Sequence, residues 1–408
     1  MRASSSIRIF WPLDHRKTPK KVEHATSTSL HVLTLTPFFP SEGDDVSGCF
    51  VAESLRSLSA LGVASSVIAV DSIYHRSRRS SPHSPAEWVR YPSFPGKVGL
   101  SSAGKFLGRV LLARVRELHQ RRRINLIHAH AALPCGDAAA FLSRRLNIPF
   151  VVTIHGLDVF NRCFQNGMAA AWRRAASLRV YEKARKVIGV SGKVQRLLVE
   201  GAGSAVSAEA VYNGTDADFF APGITQSGPP TILVVGTLLA GKGQELVLKA
   251  VARLNDLHPD LRCQIIGEGA DRTRFAALAQ QLGIGDRVHF MGRRSRAEVA
   301  DAMRSCTVFV LPSRYEGLGC VYLEAMACGK PVIGCHGQGI DEIIQDDVNG
   351  GLIPVDGLNE LVEKLQKLLA DPALRARIGQ ATRETILSHL TLAHQAQHLL
   401  RIYEQVAQ

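Results

Sequence analysis

No apolar stretch of the 408-residue sequence reaches the ~18–20 residues that a membrane-spanning helix requires. Residues 1–29 are polar and basic and lack the apolar core of a secretory signal, so they read as a disordered extension. Eight cysteines are scattered along the chain with no C-x-x-C pair. That spacing argues against a zinc-ribbon or dithiol redox site and fits reduced thiols in the cytosol. Aromatic-basic stacking motifs and DNA-binding modules are also lacking, so no nucleic-acid partner is expected. These absences place the protein in the cytoplasm, with the inner face of the cell membrane as a second address.

Charge is unevenly distributed. Residues 1–225 carry 30 Lys+Arg against 16 Asp+Glu, a balance of +14, whereas residues 226–408 carry 19 against 20. A basic half containing Arg76, Arg78, Arg79 and the run Arg121-Arg122-Arg123 suits an anionic partner, such as a membrane surface or a lipid phosphate. The plainer alternative is a solvated basic surface.

The length exceeds one core of ordinary size, so two domains are expected. The apolar run 30–35, a Pro/Gly loop, a helix over 51–61 and a strand over 66–70 make a βαβ unit with a parallel sheet. Segment 71–100, rich in Ser, Pro and Arg, reads as a surface excursion. The alternation resumes with a helix over 105–120 and strands at 126–129, 149–154 and 187–190. Residues 222–230 have linker composition, and a second strand–helix series follows, with strands at 231–235, 261–266, 288–291, 307–311 and 331–333. The expected fold is α/β: two Rossmann-like parallel-sheet domains, 30–222 and 223–388, facing across a cleft where ligands bind.

The most informative segment is 312–333, PSRYEGLGCVYLEAMACGKPVI: a strand end, a glycine loop, a helix and a Gly-Lys-Pro stop. Gly317 and Gly319 leave the backbone open to a ligand. A helix starting near Cys320 points its free N–H groups into that loop, where roughly half a positive charge suits a phosphate. Glu316 in the loop and Glu324 one turn into the helix can grip opposite ends of one elongated ligand. Taken singly, each is as well explained as a surface charge. Leu323, Met326 and Ala327 mark the helix as buried, however, so a glutamate inside it needs a polar partner.

The segment resembles the glutamate-x7-glutamate signature of family 4 retaining glycosyltransferases, which have the GT-B fold, and weaker likeness extends from Leu30 to the C-terminus. The resemblance implies that Glu324 binds the ribose of a nucleotide-sugar donor and Glu316 its sugar. The amides of Gly317, Leu318 and Gly319 would hold sugar or phosphate; Leu318 stands where phenylalanine is common. Residues 235–243, VGTLLAGKG, resemble the motif that places an arginine and a lysine on the diphosphate. Lys242 matches the lysine, but Thr237 occupies the arginine position and supplies no bidentate cation. Gly267, in Gly267-Glu268-Gly269, would lie near the base, as would Arg293 or Arg294.

In the first half, His155-Gly156 resembles the element beside the transferred sugar, and Gly48 and His130 fall on the acceptor side. His128 and His130 share a strand face but lack an evident third metal ligand. Asp216-Ala217-Asp218 has the D-x-D spacing of a metal motif in another transferase fold, but here it matches the interdomain segment. No cofactor and no metal is expected. The resemblance implies an acceptor domain at 30–222, a nucleotide-sugar domain at 223–388, and a helix at 389–408 returning to the first domain. The expected activity is transfer of a hexose-type sugar, with retention, to a saccharide or lipid-linked acceptor in surface-polysaccharide assembly. The rival readings are a nucleotide-sugar epimerase and a degenerate, non-catalytic sugar-nucleotide binder.

Overall fold

The computed structural model describes residues 30–74, 86–94, 99–156, 159, 167–202, 206–223 and 228–408. The extension at 1–29, Arg76, Arg78 and Arg79, and part of the 222–230 segment lie outside the described residues.

Two parallel sheets organise the chain. The first contains β1 (His31–Thr36), β2 (Ala64–Ser72), β3 (Ala86–Tyr91), β4 (Leu126–His130), β5 (Phe150–Ile154), β6 (Lys186–Gly189) and β7 (Ala208–Ala210), in spatial order β3-β2-β1-β4-β5-β6-β7. The second contains β8 (Thr231–Val235), β9 (Arg262–Ile266), β10 (Val288–Gly292), β11 (Val308–Val310), β12 (Val332–Cys335) and β13 (Gly351–Ile353), in order β10-β9-β8-β11-β12-β13. Around the first sheet lie α1 (Cys49–Ala60), α2 (Gly99–Arg121), α3 (Asp137–Leu146), α4 (Met168–Lys183) and α5 (Gly192–Ala202). The second half carries α6 (Gln244–Leu254), α7 (Arg272–Gln281), α8 (Arg296–Ser305), α9 (Cys320–Ala327), α10 (Leu358–Ala370), α11 (Pro372–His389) and α12 (Leu392–Ala407).

The central strands are covered on both faces, so they read as continuous runs rather than alternating ones. All six positions of β1 and all five of β8 (TILVV) are buried. On α6, Val247, Leu248, Val251 and Leu254 recur at helical spacing and face that core.

Segment 71–100 departs from the expected surface excursion, because it holds β3. Val67 to Ser72 of β2 pair in parallel register with Ala86 to Tyr91. The AEWVRY sequence is only partly buried, with Glu87 and Arg90 exposed. Its strand character comes from the β2 edge it joins, not from its own composition.

Each sheet reverses strand order once, at β1/β4 and at β8/β11. Parallel sheets bind ligands outside the carboxyl ends of the strands at such a reversal. The loops after β1, β4 and β5 in the first sheet and after β8, β9 and β11 in the second therefore frame the cleft. The last helix crosses back to the first sheet. Thr215 and the α11–α12 junction exchange backbone hydrogen bonds, with Leu390 O accepting from Thr215 N at 2.9 Å and Thr215 O accepting from Leu392 N at 3.1 Å. Ala396, Leu399, Ile402 and Tyr403 of α12 then share a core with Val51, Leu55 and Leu58 of α1. Among the described residues, no helix is long and apolar enough to cross a membrane.

Candidate active site

The loop after β11 and the helix it feeds form the second-domain wall of the cleft. Gly319 caps α9 in the left-handed region, with φ +84°, and leaves the helix N–H groups facing the loop. Glu316, two residues past the exposed Arg314, turns inward. Its Oε2 accepts a hydrogen bond from Lys242 Nζ at 2.6 Å, and both side chains are largely covered. Gln338 Oε1 accepts from the Glu316 amide at 3.0 Å and from Lys193 Nζ, on α5 of the first domain, at 2.5 Å. Leu318 points into the core.

The two domains meet backbone to backbone at this loop. A Cβ on Gly317 would stand 2.4 Å from the His155 carbonyl oxygen, and one on Gly156 (φ +123°) would stand 2.9 Å from the Gly317 Cα. Side chains are thus excluded at both positions. Ser191 Oγ donates to Gly317 O at 2.6 Å and Tyr315 Oη to Gly156 O at 2.9 Å, which fixes the approach.

Glu324 lies in the second turn of α9 and is buried, so it is no solvent-facing charge. Its polar partner is Arg296, whose Nη1 lies 3.2 Å from Glu324 Oε1. The same guanidinium reaches Glu53 of α1, in the other domain. Burial raises the Glu324 carboxyl above its ordinary range and Arg296 pulls it back. Burial likewise pushes Glu53 up to about 7, against the pull of Arg296.

On the first-domain side, three imidazoles stack in a row. His128 and His130 lie 4.5 Å apart between ring centroids, and His130 and His155 lie 5.3 Å apart. His130 Nδ1 and His155 Nε2 share a hydrogen bond of 3.0 Å. His128 is held by the Tyr403 hydroxyl at 2.6 Å and Thr153 Oγ1 at 2.7 Å. Phe38 and Phe50 pack against His155 at 5.3 and 5.0 Å. Burial lowers His128 and His155 to about 3 and His130 well below its ordinary value, so all three are neutral near pH 7.

The remaining expected residues are more dispersed. Gly48 caps α1 in the left-handed region beneath Phe38. Gly267 ends β9 and donates its N–H to Gly292 O at 2.9 Å. Thr237 is exposed, and its carbonyl accepts from Gln244 Nε2 at 2.9 Å. Arg293 reaches across the cleft to Asp44 and to Ser47 Oγ, whereas Arg294 pairs with Glu298 at 2.8 Å in its own domain. Asp216 accepts from the Phe219 amide at 3.0 Å. Among the described residues, no group of three or more His, Cys, Asp or Glu side chains is arranged to hold a metal ion.

Arg296, Glu53 and Tyr403 were not singled out from the sequence; Ser191 reads there only as the N-cap of the following helix, and its Oγ does accept from Val194 N at 3.2 Å. The capping box of Ser295 and Glu298 marks the start of α8 and so sets Arg296 at its first position. Nothing local points to Glu53, 243 residues away.

Residues 216–385 match the family described as Glycosyl transferases group 1, and residues 49–219 match Glycosyltransferase Family 4. An uncharacterized glycosyltransferase of Methanocaldococcus jannaschii is 31% identical over 262 residues, covering 64% of this chain and 70% of that relative. The chain belongs to the glycosyltransferases. The transferase is also 25% identical over 389 residues to a D-inositol 3-phosphate glycosyltransferase of Nocardiopsis dassonvillei, covering 88% of this chain and 89% of the relative. Its fold resembles that of Anabaena HepE, solved in complex with UDP and glucose, with a TM-score of 0.71 at 20% identity over 91% of this chain and 99% of the other. The two-sheet architecture of the transferase is thus the GT-B fold. In its cleft, one wall offers a cation, open amides and two carboxylates; the other offers neutral imidazoles and aromatic rings. Such a pair of walls can hold a charged, hydroxyl-rich ligand on one side and a neutral sugar ring on the other.

Proposed function

We propose that the transferase moves a hexose-type sugar from a nucleoside-diphosphate sugar to a saccharide or lipid-linked acceptor with retention of configuration. The observation that carries this reading is the Lys242–Glu316 pair beside the Gly319-capped start of α9, with Glu324 farther along the same helix. Lys242 and the amides at Gly317, Leu318 and Gly319 take the diphosphate, Glu316 the sugar hydroxyls and Glu324 the ribose. Gly267 lies at the base end, and the exposed Thr237 lies beside the diphosphate. His155, as a neutral imidazole, faces the sugar, while Gly48 and His130 belong to the acceptor wall. No metal and no cofactor enters this scheme.

For the reaction we favour attack from the face that the diphosphate leaves. The bond from the anomeric carbon to the phosphate oxygen breaks and the acceptor oxygen bonds on the same face. The acceptor proton passes to the departing phosphate, whose charge Lys242 offsets. Glu316 is held by Lys242 and therefore suits binding better than nucleophilic attack. The Nocardiopsis relative is a D-inositol 3-phosphate glycosyltransferase. An anionic acceptor, soluble or on a cytoplasmic membrane face, suits the +14 balance of residues 1–225.

A panel of UDP-, GDP- and ADP-sugars tests this, first by calorimetry and then by turnover with product NMR. A retained anomer from one donor is expected, and an inverted anomer would overturn retention. Tight donor binding without turnover would favour a non-catalytic binder, a reading to which Thr237 lends weight. Epimer formation without acceptor would favour an epimerase.

A further inference from the structure

Arg296 stands between a buried carboxyl group, Glu324, and a partly buried one, Glu53, that come from different domains. Its Nη2 pairs with Glu53 on α1, and its Nη1 lies 3.2 Å from Glu324 Oε1 and 2.8 Å from Cys49 Sγ. The side chains of Arg296, Glu53 and Glu324 retain only 14%, 12% and 9% of their exposure. Charges so enclosed are tolerated only when paired, and a cation between two carboxyl groups is held where both can reach it. The rings of Phe220 and Phe219 lie 5.1 and 5.7 Å from the guanidinium carbon and support the same position.

The contact to Glu324 engages one oxygen. Glu324 Oε2 has no hydrogen-bond partner among the described residues. A carboxylate held by one oxygen presents the other, ionised, to a hydroxyl donor. Removal of the guanidinium would leave Glu53 and Glu324 facing each other with a shared negative charge, and like charges at close range favour uptake of a proton. A protonated Glu324 has less acceptor capacity for a ribose hydroxyl. The start of α8 is also tied to the β1–α1 loop by the Arg296 amide to Asp45 at 3.4 Å and by Arg293 to Asp44. The guanidinium is therefore referenced to both walls of the cleft.

We propose that Arg296 is a positioning residue for the donor: anchored on Glu53 of the first domain, it favours the ionised form of the Glu324 carboxyl and aims it at the ribose. This rests on the reading, given above, that Glu324 binds the ribose. It adds that the first domain, through Glu53, contributes to ribose recognition without touching the ribose.

The test is calorimetric, on the purified full chain. UDP, GDP and ADP are compared, and the tightest is measured against its 2′- and 3′-deoxy forms. The ribo/deoxy affinity ratio is the readout, because a merely structural residue would change stability and leave the ratio alone. A hydrogen bond to a charged group corresponds to roughly 10- to 100-fold in affinity, so the wild-type ratio should fall in that range. Glu324→Gln should lose most of it. Arg296→Met should lower it about tenfold, Arg296→Lys should recover part, and Glu53→Gln should lower it less than Arg296→Met does. A wild-type ratio in Arg296→Met, with the ratio lost in Glu324→Gln, would overturn this inference and leave the ribose reading standing. A wild-type ratio in Glu324→Gln, or no ribo/deoxy preference in the wild type, would remove the ribose reading itself and the inference with it. Should Arg296→Met fail to fold, unchanged ratios in both Arg296→Lys and Glu53→Gln overturn the proposal.

Discussion

Lys242 Nζ and Glu316 Oε2 stand 2.6 Å apart, joining the loop after β8 to the loop after β11. This contact sets the ammonium beside the start of α9, where the proposed diphosphate sits. Lys242→Ala should lower kcat by roughly 10²–10³-fold, the scale found when one group that stabilises developing charge is removed. Lys242→Arg should retain part of the rate. Donor turnover under saturating acceptor measures both, and a Lys242→Ala enzyme with wild-type turnover would remove Lys242 from the mechanism.

Thr237 is exposed at the lip of the same loop, so a longer side chain has room there. Thr237→Arg should strengthen donor binding about tenfold by adding charge-assisted hydrogen bonds to phosphate. Calorimetric titration with the preferred donor reads the change. Weaker or equal binding would mean that the diphosphate lies elsewhere.

The Gly317 Cα faces the His155 carbonyl, where an added Cβ would sit 2.4 Å from oxygen. Gly317→Ala should push the loop after β11 off the first domain and cost roughly 10²-fold in turnover, the scale of an ångström-sized misplacement. Gly241→Ala, with no atom within 4 Å of the new Cβ, should stay within about 0.5 kcal/mol of wild-type stability. Paired kinetic and thermal-unfolding measurements separate the two effects.

Tyr403 is fully buried and hydrogen-bonded to His128, so its hydroxyl links the last helix to β4. Tyr403→Phe leaves a buried imidazole nitrogen short of a partner and should cost about 1–3 kcal/mol of stability. Denaturant unfolding gives the value. A loss below a few tenths of a kcal/mol would show that α12 docks without help from the Tyr403–His128 hydrogen bond.

His128 has its pKa lowered from the ordinary 6.5 to about 3 by burial. The unfolded chain therefore binds a proton there, between those limits, that the folded chain does not. The neutral site contributes its stability above pH 6.5, and that contribution is lost as the pH falls toward 3, at ~1.4 kcal/mol per pH unit. His128→Gln should flatten the pH dependence of unfolding between pH 4 and 6 by about that slope. His155, lowered to about 3 as well, should put no limb near pH 6.5 in the kcat profile.

The βαβ alternation, the division into two parallel-sheet halves and the strand–loop–helix unit at 312–333 were legible in the sequence. Those features are local. Strands covered on both faces need continuous apolar runs, and a phosphate-ready helix start needs only glycine, an open loop and a following helix. β3 was not legible, because Glu87 and Arg90 break its pattern and its pairing with β2 decides its state.

The character of the site was settled by tertiary contact. Glu324 is a buried charge in the sequence, but only the folded chain brings Arg296 to it and Glu53 to Arg296. His128 and His130 read locally as a two-ligand pair on one strand face. In the structure, Tyr403, 275 residues from His128, and His155 take up their nitrogens, and burial keeps the rings uncharged. Composition and spacing determine which groups the chain can offer a donor. Their partners, and through them their charge, come from segments too far apart in sequence to leave a local trace.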